Sequence, residues 1–200
     1  FGDAISAFEL MSRPALEFHF AHVGARREPL ADPTPWLALL ECESTSRFMD
    51  LDAAIQGLFE QALADGLVST GSVATSLAQR RSLWALREGI AVAMGAASYH
   101  IVKTDTAVPT GSVAEFIRRA DLDVERALPG SRTVAFGHVG DGNIHLNILP
   151  PAGMPDQQFR TRSQELAAAI DEIALSLGGT VSAEHGIGQA KRHALRRMLP

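Results

Sequence analysis

The sequence has 200 residues, of which 46% are hydrophobic and 20% are charged, and it carries a formal net charge of −5 at pH 7. This composition suits a globular chain with a sizeable core, and the negative charge disfavours a general nucleic-acid-binding protein. The single cysteine, Cys42, excludes an internal disulfide framework, and no apolar stretch reaches the roughly 18 residues of a transmembrane helix.

The N-terminal part of the chain combines helical and extended patterns. Residues 1–23 indicate a helix-like segment, and residues 36–43 are typical of a buried strand. Residues 47–64 predict a helix, because apolar residues recur there at steps of three and four. This apolar stripe consists of Phe48, Leu51, Ile55, Leu58, Phe59 and Ala62.

The remaining elements alternate between helices and strands. A second helix is predicted over residues 76–97, with Arg87 beside its apolar face, and a strand over residues 99–108. Further helices are predicted over residues 112–128 and 156–177, and a last strand over residues 179–183 leads to Glu184. This order indicates the α+β class, with helices packed on a mostly antiparallel sheet.

A β-hairpin is predicted over residues 133–149, around Asp141-Gly142. Asp-Gly between apolar runs favours a two-residue type I′ turn, which needs φ > 0 at both central positions. If these residues form the turn, His138 faces His145 with Cβ atoms about 5 Å apart, and Asn147 shares that face. The two imidazoles could then share one metal ion, or they could simply hydrogen-bond each other or solvent.

A second polar cluster favours the metal. The stretch SAEHGIG at residues 182–188 carries Glu184 and His185 in a turn bounded by glycine. Two histidines and one carboxylate, with an open coordination position, are a common ligand set for zinc and similar divalent ions.

These two stretches together resemble a known family. GHVGDGNIHLN at residues 137–147, followed some forty residues later by SAEHGIGQAKR, resembles the C-terminal, substrate-binding half of the type 4 FAD-linked oxidases. That family includes D-2-hydroxyglutarate dehydrogenase, D-lactate dehydrogenases and the glycolate oxidase flavin subunit. The resemblance extends from about residue 35 to the C-terminal end. It implies two ferredoxin-like subdomains whose strands merge into one sheet, with residues 1–200 forming this one domain.

The resemblance also implies roles for individual residues. It implies a divalent metal, most simply zinc with manganese or iron as alternatives, bound by His138, His145 and Glu184. It implies that His185 is the base that removes the substrate hydroxyl proton. The residues it implies for substrate binding are Arg87 and Lys103, for the carboxylate, and Asn143 and Asn147.

The implied activity is the oxidation of a D-2-hydroxy acid to a 2-oxo acid. No side chain in this chain can accept a hydride, and no Gly-rich phosphate loop occurs. We therefore expect FAD to be bound mainly by a domain of the same polypeptide that is missing here, and the fragment alone to be inactive. Ala91 stands where we expect a Thr in the hydroxyglutarate branch, which leaves lactate, glycolate or a longer 2-hydroxy acid open.

Two other classes and the cellular location remain open at this point. A metal-dependent hydrolase would use bound water with His185 as base, although no HExxH motif occurs. A non-catalytic α+β module would bind a small ligand, and a direct His138–His145 hydrogen bond would favour it. We expect a cytoplasmic location, with peripheral membrane association or an organelle as alternatives for the full-length protein.

Overall fold

A computed structural model describes residues 4–23, 28–188 and 191. The strands are β1 (Ile5–Ser12), β2 (Trp36–Cys42), β3 (Thr106–Ala107), β4 (Arg132–His138) and β5 (Asn143–Leu149). The helices are α1 (Arg13–Val23), α2 (Leu51–Ala64), α3 (Leu77–Ala96), α4 (Val113–Ala127) and α5 (Asp156–Ser176). Short 3₁₀ turns at Thr110–Ser112 and Val139–Asp141 precede α4 and join β4 to β5. The predicted α+β class is confirmed.

The strands form one sheet in the order β2-β1-β4-β5-β3, and all neighbours are antiparallel. Isolated bridges extend β3 at Val102 and pair Ala107 with Thr180. From Val102 to Thr180, the chain therefore runs strand, helix, strand, strand, helix, strand. In the sheet, the first of these four strands lies between the third and the fourth, which is the ferredoxin-like arrangement. The described residues before Val102 add β1 and β2 to the same sheet through the pairing of β1 with β4.

Helices cover both faces of this sheet. Ala135, Ile144, Leu146 and Ile148 share a core with α4 and α5, whereas Val134, Phe136 and Leu149 share a second core with α1 and α3. Because side chains alternate along a strand, the polar residues of the hairpin can be assigned to one of the two sides. Those on the Phe136 side are His138, Asn143, His145 and Asn147.

Helix α2 forms where the periodicity predicted it, but its apolar stripe is not buried by the other described residues. In the part of the chain that the structure describes, α2 has no buried residue, and Phe48 just before it is 87% exposed. A repeat of three and four residues indicates that a helix has one apolar face. It does not specify which other element covers that face.

The N-terminal segment differs most from its prediction. Residues 5–12 form β1, which pairs with β2 on one side and with β4 on the other, and the helix begins only at Arg13. By contrast, the strand predicted over residues 99–108 is reduced to β3 and the bridge at Val102, and the one over residues 179–183 to the bridge at Thr180. The insertion of β1 between two strands brings Glu9 to the end of β4.

Candidate metal and substrate site

The hairpin has a longer loop than predicted. Phe136, and not His138, faces His145, and His138 instead faces Glu9 of β1. Gly142 has φ +71°, but among the described residues no residue other than glycine has positive φ, so Asp141 is not in a type I′ turn. The register differs from the prediction by two residues. A shift of two keeps every side chain on its face, so the two histidines remain on the same side of the sheet.

A contact with a distant segment explains this loop. The backbone N–H of Val108 donates to the carbonyl oxygen of Gly142 at 3.1 Å. An ideally placed Cβ at Gly142 would lie 1.9 Å from the carbonyl oxygen of Val108. The loop therefore fits against the end of β3 only because residue 142 has no side chain.

The two histidines and Glu184 meet at this end of the sheet. Nε2 of His138 lies 2.9 Å from Oε1 of Glu184, and Nε2 of His145 lies 3.6 Å from Oε2 of the same carboxylate. Burial lowers the pKa of His145, against the opposing effect of Glu184 and Asp105. A neutral imidazole is the form that binds a metal ion. The three predicted ligands thus come together although the predicted pairing was wrong.

Asp105 is a member of this cluster that the sequence analysis missed. Its Oδ2 accepts the backbone N–H groups of Glu184 at 2.9 Å and of His185 at 2.8 Å. Its Oδ1 is buried without a hydrogen-bond partner among the described residues and lies 4.0 Å from Nδ1 of His145. Ligand atoms of Asp105, His145 and Glu184 all lie within 4.8 Å of one another.

The backbone N–H groups that donate to Asp105 also favour the charged form of its carboxyl group. Burial alone would raise the pKa of this carboxyl group, but the backbone N–H groups of His185 and Glu184, together with the nearby imidazoles, lower it overall. The signal that could have identified Asp105 was its position in KTDTAV, two residues after Lys103. The pairs Val102 with Ile148 and Thr106 with Ile144 follow one register, which sets Asp105 opposite His145.

His185 lies beside the cluster and faces solvent. Its side chain is 72% exposed, and its Nδ1 is 3.8 Å from Oδ2 of Asp105. Its ring stacks on His145, with centroids 5.8 Å apart and planes inclined by 22°. An accessible imidazole therefore lies next to the predicted metal ligands.

Glu9 is the second carboxylate that the sequence analysis missed, because its segment was interpreted as helix-like. Its Oε2 accepts Nε–H of Arg87 at 2.6 Å, and its Oε1 lies 2.5 Å from Nδ1 of His138. Arg87 is buried, and its guanidinium carbon is 5.1 Å from the centroid of the Phe136 ring. The arginine predicted to bind a substrate carboxylate is therefore also part of an internal ion pair.

The predicted substrate-binding residues before β3 and on β5 differ in exposure. Asn143 and Asn147 are buried on the face of His145, and in the described part of the chain the Oδ1 atom of each has no hydrogen-bond partner. A buried polar atom left without a partner costs about 1–3 kcal/mol, so these oxygens are suited to accept from a ligand or a bound water. Lys103 is exposed, and the register of β3 sets it opposite Asn147.

Taken together, these features define an α+β domain with imidazole and carboxylate groups collected at one end of its sheet. The chain belongs to the family described as FAD linked oxidases, C-terminal domain, whose model matches residues 2–200. The family predicted from the two motifs is confirmed, and the match begins well before residue 35.

The similar proteins are longer than this chain. It is 34% identical over 191 residues to a D-2-hydroxyglutarate dehydrogenase of Xanthomonas citri pv. viticola, covering 96% of this chain and 39% of that protein. It is 35% identical over 196 residues to one of Stutzerimonas stutzeri, covering 96% and 40%. It is 31% identical over 199 residues to a putative mitochondrial D-lactate dehydrogenase of Schizosaccharomyces pombe, covering 95% and 36%. The chain thus spans about two fifths of the length of these relatives.

No helix in the described ranges is long and apolar enough to cross a membrane. This finding agrees with the sequence, in which no sufficiently long apolar run was found.

Proposed function

We propose that this chain forms the substrate- and metal-binding domain of an FAD-dependent oxidoreductase that oxidises a D-2-hydroxy acid to a 2-oxo acid. The observation that carries the proposal is the convergence of Nε2 of His138 and Nε2 of His145 on the carboxylate of Glu184, with His185 beside them. FAD, bound mainly by a domain outside this chain, supplies the hydride acceptor that no side chain here can replace.

The donor set fits a divalent metal. Two imidazole nitrogens and a carboxylate are typical zinc ligands, and they also suit manganese or iron. The Nδ1 atoms of both histidines face buried carboxylates, those of Glu9 and Asp105, so the Nε2 atoms would be the ones available to hold an ion. A metal at this position would stabilise negative charge on the substrate hydroxyl and carboxylate oxygens.

The proton chemistry is assigned to His185. Its Nδ1 faces Asp105, which leaves Nε2 as the nitrogen that accepts the proton of the substrate hydroxyl group. A neutral imidazole can act in this way near neutral pH. Asp105 also binds the backbone N–H of His185 and so limits the movement of the base.

The substrate carboxylate is assigned to Arg87 and Lys103, and other polar contacts to Asn143 and Asn147. Because Nε of Arg87 already donates to Glu9, the terminal amino groups of Arg87 would be the ones that reach a substrate. The amide oxygens of both asparagines would accept hydrogen bonds from the bound molecule or from its hydration water. The substrates to compare are D-2-hydroxyglutarate, D-lactate and glycolate. The comparison is needed because Ala91 stands where a Thr, with its hydroxyl group, is expected in enzymes that act on D-2-hydroxyglutarate.

The other interpretations receive less support from the geometry. A non-catalytic binding module would be favoured by a hydrogen bond between His138 and His145, whereas both Nε2 atoms face Glu184.

We retain the cytoplasm as the predicted location, although one relative described above is named as mitochondrial.

Metal content and turnover test this proposal separately. We expect the purified protein to contain about one equivalent of a divalent metal, and the His138→Ala variant to lose at least nine tenths of it. His22→Ala is the matched control, because His22 bonds the carbonyl oxygen of Phe18 on α1, away from the cluster. Equal metal content in wild type and His138→Ala would refute the metal site.

The catalytic role is measured on the full-length protein that contains this chain. His185→Ala is expected to lower kcat at least 100-fold while changing KM little, because a base acts mainly in the transition state. Near-normal turnover of this variant with all three candidate acids would exclude His185 from the mechanism.

A further inference from the structure

Glu9 is one of the most deeply buried charged side chains of the described residues, at 1% exposure. Each of its two oxygens has a specific partner: Oε2 accepts Nε–H of Arg87 at 2.6 Å, and Oε1 is 2.5 Å from Nδ1 of His138. A buried carboxylate is retained only with such compensation. One side chain of β1 therefore connects a residue of α3 to a residue at the end of β4.

The contact with Glu9 determines which nitrogen of His138 carries the proton. A carboxylate can only accept, and a neutral imidazole has a single N–H. The proton of a neutral His138 ring must therefore be on Nδ1, and Nε2 presents a lone pair. Nε2 lies 2.9 Å from Oε1 of Glu184, a contact that is favourable when either a second ring proton or a metal ion lies between the two atoms.

We propose that Glu9 is a positioning residue of the candidate site, which holds His138 as the Nδ1–H tautomer so that Nε2 is presented to a divalent metal. Its second oxygen holds Arg87, so that one carboxylate orients both a metal ligand and the arginine assigned to the substrate. The inference rests on the proposed function for the metal, and it extends that function to a residue outside the ligand set.

A purely structural role for Glu9 makes a different prediction. If Glu9 served only to neutralise buried Arg87, its replacement would change stability but neither the tautomer of His138 nor the affinity for metal. The chain offers a control with the same chemistry at another place. Glu41 on β2 accepts from Arg80 at 2.7 Å and from the ring N–H of Trp84 at 2.6 Å, so Glu41→Gln removes the same kind of carboxylate outside the site.

The expected results follow from the chemistry of glutamine. In Glu9→Gln, the amide has one oxygen for two donors, so either His138 or Arg87 faces an NH₂ group. We expect the dissociation constant for Zn²⁺, measured by competition with a chromophoric chelator, to rise 10- to 100-fold. In Glu41→Gln it should change less than about twofold. In the metal-free protein, ¹⁵N NMR of the imidazole, assigned with His138→Gln and recorded at a pH at which the ring is neutral, should show the proton on Nδ1 in wild type and a loss of this preference in Glu9→Gln.

Each result decides one part of the inference. A wild-type His138 ring with its proton on Nε2 would overturn the proposal, as would a folded Glu9→Gln that binds Zn²⁺ as wild type does. If Glu9→Gln does not fold, the wild-type tautomer decides, and Nδ1–H supports the proposal. A wild-type protein that binds no Zn²⁺ but has Nδ1–H would contradict the proposed metal site while supporting the orienting role of Glu9.

Discussion

The Nε atom of Arg87 lies 2.6 Å from Oε2 of Glu9, and the two side chains are only 8% and 2% exposed. Because both charges have lost most of their hydration, each depends on the other for compensation. The pair joins α3 to a central strand of the sheet at the point where the candidate site begins. A substitution at either residue should therefore affect both the stability of the fold and the arrangement of the site.

Replacing Arg87 by alanine should be strongly destabilising. The variant leaves the Glu9 carboxylate buried without its cation, and breaking such a pair costs about 3–5 kcal/mol. Arg126→Ala is the control, because the pair of Arg126 with Asp123 is 75% and 41% exposed and is expected to contribute less than about 1 kcal/mol. The free energy of unfolding from urea denaturation measures both. Similar losses for the two variants would contradict a special role for the buried pair.

The conservative variant Arg87→Lys should separate stability from substrate binding. The ammonium group can still approach Glu9, so the loss of stability should be smaller than for alanine. An ammonium group engaged by Glu9 cannot also form the bidentate contact to a substrate carboxylate. In the full-length protein, KM for the 2-hydroxy acid should rise about tenfold or more, with kcat changed less. An unchanged KM would remove Arg87 from the substrate site.

Asp105→Ala should release the turn that carries Glu184 and His185. The two backbone N–H groups lose a charged acceptor, and each such bond contributes about 1.5–3 kcal/mol. We expect amide hydrogen exchange at Glu184 and His185 to accelerate at least tenfold relative to wild type. Asp105→Asn keeps an acceptor oxygen and should retain most of the protection. Equal exchange in wild type and Asp105→Ala would mean that the turn is held by other contacts.

Two glycines with similar backbone angles distinguish steric contact from backbone strain. Gly142 and Gly153 have φ of +71° and +77°, but a Cβ would meet Val108 only at Gly142, with nothing within 4 Å at Gly153. Gly153→Ala should cost about 1 kcal/mol from φ alone. Gly142→Ala should cost at least about 2 kcal/mol more, because the loop must move away from β3. Comparable melting temperatures for the two variants would show that the loop adapts without cost.

The pH dependence of stability should include a contribution from Glu41. Its hydrogen bond with Arg80 lowers the pKa of Glu41 to about 2, from 4.5. Since the folded-state pKa is depressed, this stabilisation is present above about pH 4.5 and is lost as the pH falls towards 2. Glu41→Gln should therefore lower the melting temperature at pH 7, by an amount equivalent to about 1 kcal/mol because Arg80 is half exposed. The difference between the variants should shrink between pH 4.5 and 2, and a constant difference would contradict this assignment.

Several features of the fold were predictable from local sequence. The helices α3, α4 and α5 begin and end close to their predicted residues, because an apolar period of 3.6 residues is a property of one segment. His138, His145 and Glu184 could be selected as a group from their residue types and from the turn signals around them. The α+β class follows from the order of these elements.

Other features depend on contacts between distant parts of the chain. The hairpin register is two residues from its prediction, and Gly142 packs against Val108 in a way that no hairpin rule includes. The exposure of α2 could likewise not be predicted from its apolar stripe, because the periodicity shows that the helix has an apolar face but not which other element packs against that face. These are differences of tertiary packing and not of secondary-structure preference.

The difference between what the sequence determines and what the tertiary structure decides is clearest at the candidate site. By itself, the sequence singled out His138, His145 and Glu184 as candidate ligands. It also determined the side of the sheet on which the histidines lie, since alternation along a strand survives a shift of two residues. Only the tertiary structure decided that Glu9 and Asp105 lie behind these histidines. Glu9 is contributed by a strand 129 residues away in sequence from His138. Such a pairing arises from the order of strands in the sheet, which no local pattern of residues specifies.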